Sequence, residues 1–95
     1  MKILIEKKAE NTLRDIAEYI ISKSGFSNRA VNYIKKIRDF INSLASFPER
    51  YPLCRKISFR MREYRCAPFD EYIIVYKINN NELLIVNIIH SKRLL

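Results

Sequence analysis

The chain is short, at 95 residues, and 48% of them are hydrophobic; that is apolar material for one small core and too little length for several domains. Its 18 Lys and Arg against 10 Asp and Glu leave a net charge of +8, which favours an anionic partner such as nucleic acid, a ribosome, an acidic protein or a membrane surface. A single glycine, Gly25, excludes the Gly-rich loops that hold nucleotide phosphates.

The chain opens with MKILIEKK, whose apolar run Ile3–Leu4–Ile5 suits a short strand and is too brief for a secretory signal. No segment approaches the ~20 apolar residues of a membrane span, so a soluble, cytoplasmic protein with no membrane partner is expected. Ala9, Leu13, Ile16, Ala17, Ile20 and Ile21 then recur at helical spacing, with Lys7, Lys8, Glu10, Arg14, Asp15 and Glu18 on the other face. Gly25 is a natural stop for this amphipathic helix. Ser27 or Asn28 can cap a second helix, whose stripe is Ala30, Ile34, Ile37, Ile41 and Leu44. Tyr33, Phe40 and Phe47 widen its apolar face, Lys35, Lys36, Arg38 and Asp39 form a solvated one, and Pro48 ends it.

Beyond Pro52 the composition changes. Cys54 and Cys66 have no zinc-knuckle spacing and one histidine between them to share, so no metal or other cofactor is expected, and the two are read as reduced thiols acting as small hydrophobes. RMREYRCAP, from Arg60 to Pro68, is expected to be an outer strand with Arg60, Arg62 and Tyr64 on one face and Glu63 and Arg65 on the other. EYIIVYKI and ELLIVNII, separated by Asn79, Asn80 and Asn81, read as a β-hairpin that is apolar on both sides and therefore central. Asp70 and Glu71 form a turn, and Tyr72 and Tyr76 share a strand face. The expected class is α+β: an N-terminal strand, a helical hairpin and a three-stranded antiparallel meander, β-α-α-β-β-β, with the helices on one sheet face and the first strand at an edge.

Two stretches are candidates for function. Arg55, Lys56, Arg60, Arg62 and Arg65, with Tyr64 interleaved and Glu63 the one acid, concentrate positive charge suited to phosphates or to acidic residues of a partner. The second is the end of the last strand, IVNIIHSKRLL, with the only histidine, His90, beside Lys92 and Arg93. Simple strand alternation puts His90 on the face of Leu84, Val86 and Ile88. A neutral imidazole there could serve as a base on a ribose hydroxyl while Arg93 and the arginines from Arg60 to Arg65 hold the phosphate; the competing expectation is a strand-end residue or an anion contact.

Across nearly its whole length the chain resembles the RelE/ParE superfamily of toxins from bacterial type II toxin–antitoxin systems. AENTLRDIAEYI is similar to the family's opening helix, INSLASFPERYP to the end of its second helix, and YIIVYKI with LLIVNIIHSKR to its terminal hairpin followed by a histidine and basic residues. The resemblance implies a single toxin domain over residues 1–95, neutralised by a cognate acidic antitoxin and able to form a hetero-oligomer with it. It also implies one of two activities: ParE-like members inhibit DNA gyrase, and RelE-like members are metal-independent endonucleases that cut mRNA on the ribosome. Ile73 stands where nuclease members often carry an arginine, and no tyrosine follows His90. Both departures favour the gyrase reading; the alternative keeps His90 and Arg93 as catalytic residues of an mRNA endonuclease.

Overall fold

A computed structural model describes residues 1–94. In chain order its elements are β1 (Lys2–Ile5), α1 (Lys7–Ser24), α2 (Ser27–Ser43), a one-turn helix α3 (Ile57–Arg60), β2 (Arg65–Phe69), β3 (Tyr72–Asn79), β4 (Glu82–His90) and a 3₁₀ turn over Ser91–Arg93. The four strands lie in the order β1-β4-β3-β2. β2, β3 and β4 form the expected antiparallel meander, and β1 lies at the edge, parallel to β4.

The helices end where local chemistry dictates, with two corrections. Gly25 adopts φ 76° and its N–H donates to the Ile21 carbonyl at 2.8 Å, closing α1 as expected. The N-cap of α2, however, is Phe26 rather than Ser27 or Asn28, and it is Ser24 Oγ that accepts the Phe26 N–H. α2 stops at Ser43, short of Pro48. The residues preceding a proline resist helical geometry, and the chain leaves the helix through a tight turn over Leu44–Ser46. Phe47 is thereby carried to the surface, 71% exposed, instead of extending the apolar face.

On one sheet face the helical stripes meet the strands. Ala9, Leu13 and Ile16 of α1 and Ile37 and Ile41 of α2 are buried against Ala67, Ile74, Tyr76, Leu83, Ile85 and Ile88. The Tyr76 hydroxyl donates to the Pro48 carbonyl at 2.6 Å, so this large buried ring has a partner for its polar tip. Arg38 is not simply solvated: it grips Glu10 of α1 with both terminal nitrogens, at 2.8 and 3.3 Å.

The opposite face is covered differently. The expected outer strand from Arg60 begins only at Arg65. Before it, α3 forms with Arg60 N–H donating to Lys56 O and Met61 N–H to Ile57 O, both at 2.9 Å, and Glu63 turns the chain at φ 61°. The cause is packing: Phe59 and Tyr64, with ring centroids 5.7 Å apart, both reach the sheet beside Cys54, Val75 and Val86, which a straight strand would not allow. Arg60, Arg62 and Tyr64 therefore do not share a strand face. The two cysteines are not free thiols; Cys54 and Cys66 form a disulfide, with Cα atoms 5.0 Å apart.

A bulge resets β4. Its pairing with β3 passes from Val75↔Asn87 to Tyr76↔Ile85, leaving Val86 as an extra residue. Alternation changes phase there, so Leu83, Ile85 and Ile88 all face the helices while Leu84, Val86 and Ile89 face away. His90 consequently lies on the helix side with Ile88, not with Leu84 and Val86. Among the described residues no helix is long and apolar enough to cross a membrane.

Candidate functional site

Where β4 ends, a cleft of about 680 Å³ opens between α1 and the sheet, lined by Lys8, Asp15 and Tyr19 on one side and Glu71, Tyr72, His90 and Arg93 on the other. The bulge is what brings His90 to it. Its ring packs edge-on against Tyr72, which sits opposite it in the β3–β4 register, with centroids 5.4 Å apart. Nδ1 accepts the backbone N–H of Lys92 at 3.2 Å and so caps the 3₁₀ turn that carries Lys92 and Arg93. An imidazole whose Nδ1 is an acceptor carries its proton, in the neutral form, on Nε2. The other nitrogen is then a donor in the neutral form, and the ring holds the turn.

The turn is anchored a second time by the Ser91 N–H, which donates to the Glu71 carbonyl at 2.8 Å. Burial raises the Tyr72 hydroxyl above the ordinary tyrosine range, nearby Glu71 adds to the effect and Arg93 opposes it, so this hydroxyl stays protonated at the cleft wall. On the far side of the turn the Tyr33 hydroxyl donates to Asp70 at 2.6 Å, tying α2 to the β2–β3 connection; burial and then this bond push Tyr33 upward. The cleft thus mixes cations (Lys8, Arg93) with carboxylates (Asp15, Glu71) around aromatic walls. Such a surface suits a polar peptide better than a phosphate backbone, which the two carboxylates would repel.

The basic stretch lies elsewhere. Arg55, Lys56, Arg60 and Arg62 are exposed on the loop that covers the sheet face away from the helices. Arg60 Nε donates to the Cys54 carbonyl at 3.2 Å, Lys56 lies over the Phe59 ring, and Tyr64 is half-buried beneath, so Tyr64 is a packing residue and not a free stacking platform. Arg65 points to the other face and donates to the Tyr51 carbonyl at 2.7 Å. It pairs with Tyr76, four residues along β3 from Tyr72 and hence ~13 Å from the level of His90. Of the expected residues only His90 and Arg93 line the cleft. Among the described residues no group of His, Cys, Asp and Glu is placed to hold a metal ion.

Comparison with known proteins bears on what this arrangement is. Residues 3–95 match the family model described as the ParE toxin of the type II toxin–antitoxin system parDE. The chain belongs to the ParE toxin family. It is therefore the toxin component of a type II module, and a cognate antitoxin is its partner. A solved structure described as the chromosomal ParDE toxin–antitoxin system from P. aeruginosa superposes with a TM-score of 0.80 over 95% of each chain, at 14% identity, a likeness of fold. No curated protein matches it in sequence.

Within this ParE-family domain, the sequence pointed to His90 and Arg93, which line the cleft, and not to the wall opposite them. Lys8 and Asp15 read as the solvated side of an amphipathic helix and Tyr19 drew no reading, and nothing in a helical period distinguishes a solvated face from one that borders a cleft. Tyr19, 59% exposed, was the available signal: a large aromatic on the polar side of α1.

Proposed function

We propose that this ParE-family toxin acts in the cytoplasm by binding and inhibiting DNA gyrase through its His90–Arg93 end, and that in the resting module the antitoxin is bound to it in a hetero-oligomer. The observation that carries the reading is the separation of the parts a nuclease would need together. Arg60 and Arg62 lie behind the sheet, Arg65 is held by Tyr51, and the acceptor nitrogen of His90 is committed to the Lys92 N–H. What remains at the cleft is a set of hydrogen-bond donors, aromatic walls and balanced charge, suited to gripping a protein surface.

One observation favours ribosome-dependent mRNA cleavage: His90 and Arg93 do share the cleft. The two readings separate in a purified assay. The gyrase reading expects loss of supercoiling, or accumulation of cleaved DNA, when gyrase is incubated with the toxin. Undisturbed gyrase, together with codon-position cuts in mRNA on translating ribosomes, would replace it.

A further inference from the structure

We propose that the Cys54–Cys66 disulfide is a redox-sensitive clasp that presents the α3 loop as a docking surface for an acidic, apolar segment of a partner protein. The first argument is what the bond encloses. Between the two cysteines lie Arg55, Lys56, Arg60, Arg62 and Arg65 against Glu63 alone, five cations and one anion for a net of +4. The crosslink closes the loop that carries the densest positive charge of the chain.

The second argument is how little else holds that loop. α3 has no buried residue, and the buried cluster on its side of the sheet consists of Cys54, Val75 and Val86. Beyond the disulfide the loop is held by the half-buried Phe59 and Tyr64 packed on the sheet and on each other, by the Arg60–Cys54 bond and by backbone bonds that are mostly local, with Cys54 N–H to Tyr64 O at 2.8 Å closing its ends. The helix-side core shares none of these groups. Opening the clasp therefore loosens residues 55–64 and leaves the helical hairpin and sheet in place.

The loop's surface argues for the partner's chemistry. Ile57 and Met61, one helical turn apart, are 72% and 79% exposed, an unusual display for large hydrophobics, and Arg55, Lys56, Arg60 and Arg62 surround them. A phosphate backbone would use the cations and leave the two apolar side chains wet. A protein segment with carboxylates around an apolar residue uses both. Fixing the cations in one arrangement before binding lowers the ordering cost of association.

Opening proceeds by thiol–disulfide exchange. Cys54 is 1% exposed and Cys66 only partly buried, so a thiolate of a small-molecule or protein thiol attacks the Cys66 sulfur and expels Cys54 as a thiolate, which takes a proton. A second thiol attacks the mixed disulfide, releases the Cys66 thiol and leaves as the oxidised disulfide of the reductant. Two thiols are oxidised and one protein disulfide is reduced; a small-molecule disulfide reverses the sequence.

The test compares the oxidised full-length protein with protein reduced by a monothiol, each state fixed by alkylation and intact mass. Hydrogen exchange across residues 55–64 should accelerate about tenfold or more on reduction, with α1 and α2 changing less than about twofold. A fluorescent peptide of glutamate and leucine at helical spacing should bind the oxidised form several-fold more tightly, with affinity falling as salt rises. The double variant Lys56→Glu with Arg62→Glu should lose binding in both redox states. Cys66→Ser should match the reduced wild type. The proposal is overturned by free thiols that glutathione disulfide fails to pair, by equal exchange and equal peptide affinity in the two states, or by duplex DNA outcompeting the peptide at this loop.

Discussion

The two faces of the sheet are built by different means. On the helix side, two amphipathic helices bury a continuous layer of Leu, Ile and Tyr76 side chains, and two of the cleft's walls come from the same α1–β4 packing. On the other side a thirteen-residue stretch is pinned by a disulfide and one aromatic pair, over a cluster with three buried members. One face derives its rigidity from buried area, the other from a covalent tie. The difference teaches where this toxin can change without unfolding: the basic loop can loosen, while the His90–Arg93 turn is tied to the sheet by the Ser91 N–H bond to Glu71 and by His90 packed on Tyr72.

Substitution in the helix-side core should break this contrast most sharply. Tyr76→Ala removes a fully buried ring and its bond to Pro48, and a loss of about 3–5 kcal/mol is expected in chemical denaturation, enough to leave much of so small a domain unfolded. Tyr76→Phe isolates the polar part. It leaves the Pro48 carbonyl without its donor and should cost about 1–3 kcal/mol. If either change proved neutral, the core would not be where the stability resides.

On the loop side the expected effects fall on association rather than on stability. Arg60→Gln with Arg62→Gln should slow association with the antitoxin several-fold at low salt and flatten its salt dependence, while the melting temperature shifts by only a few degrees. Stopped-flow binding at two ionic strengths separates these outcomes, and an unchanged rate and salt slope would remove the loop from the docking surface.

The smallest effect concerns the Arg38–Glu10 pair that links the two helices. The hydrogen bonds from Arg38 hold the Glu10 carboxyl below the ordinary carboxylate range. A lowered carboxyl contributes stability above its unfolded-state value, and that contribution is lost as pH falls through its folded value. Both side chains are more than 40% exposed, so solvent screens the pair and Glu10→Gln should cost only roughly 0.2–1 kcal/mol near neutrality. Urea titrations of parent and variant should converge in acid. A difference that persisted or grew at low pH would contradict the assignment.

Much of this architecture is legible in the chain. The stripe Ala9–Leu13–Ile16 and its counterpart Ala30–Ile37–Ile41 are periodic, and periodicity is a local property that survives without knowledge of neighbours. The terminal hairpin is equally plain from its β-branched strands and asparagine turn. What escaped was fixed by contacts between distant segments. α3 exists because Phe59 and Tyr64 both find the sheet; nothing in RKISFRMREY outweighs an extended reading when its partners are unknown. The Val86 bulge moves His90 to the opposite face, and a single inserted residue leaves no mark in a run that is apolar on both sides. Cys54 and Cys66 each follow a partner of the isolated Leu53↔Arg65 bridge, a contact between distant segments that the sequence does not show. The candidate site was legible as a place and not as an arrangement: His90 and Arg93 stand together in the sequence and line one cleft, while the α1 wall and the Nδ1 cap required the fold.

The most direct test of the account is the relative effect of His90→Gln and Arg93→Ala on inhibition of gyrase supercoiling by the folded toxin. Gln retains an oxygen able to accept the Lys92 N–H, so His90→Gln should keep inhibition within a few-fold of the parent, whereas Arg93→Ala, which strips a cation from the cleft, should weaken it more. A parent toxin that leaves gyrase undisturbed and cuts mRNA on ribosomes, with cleavage slowed roughly 10²- to 10⁴-fold by His90→Gln alone, would mark His90 as a proton-transfer residue and contradict the binding role assigned to it.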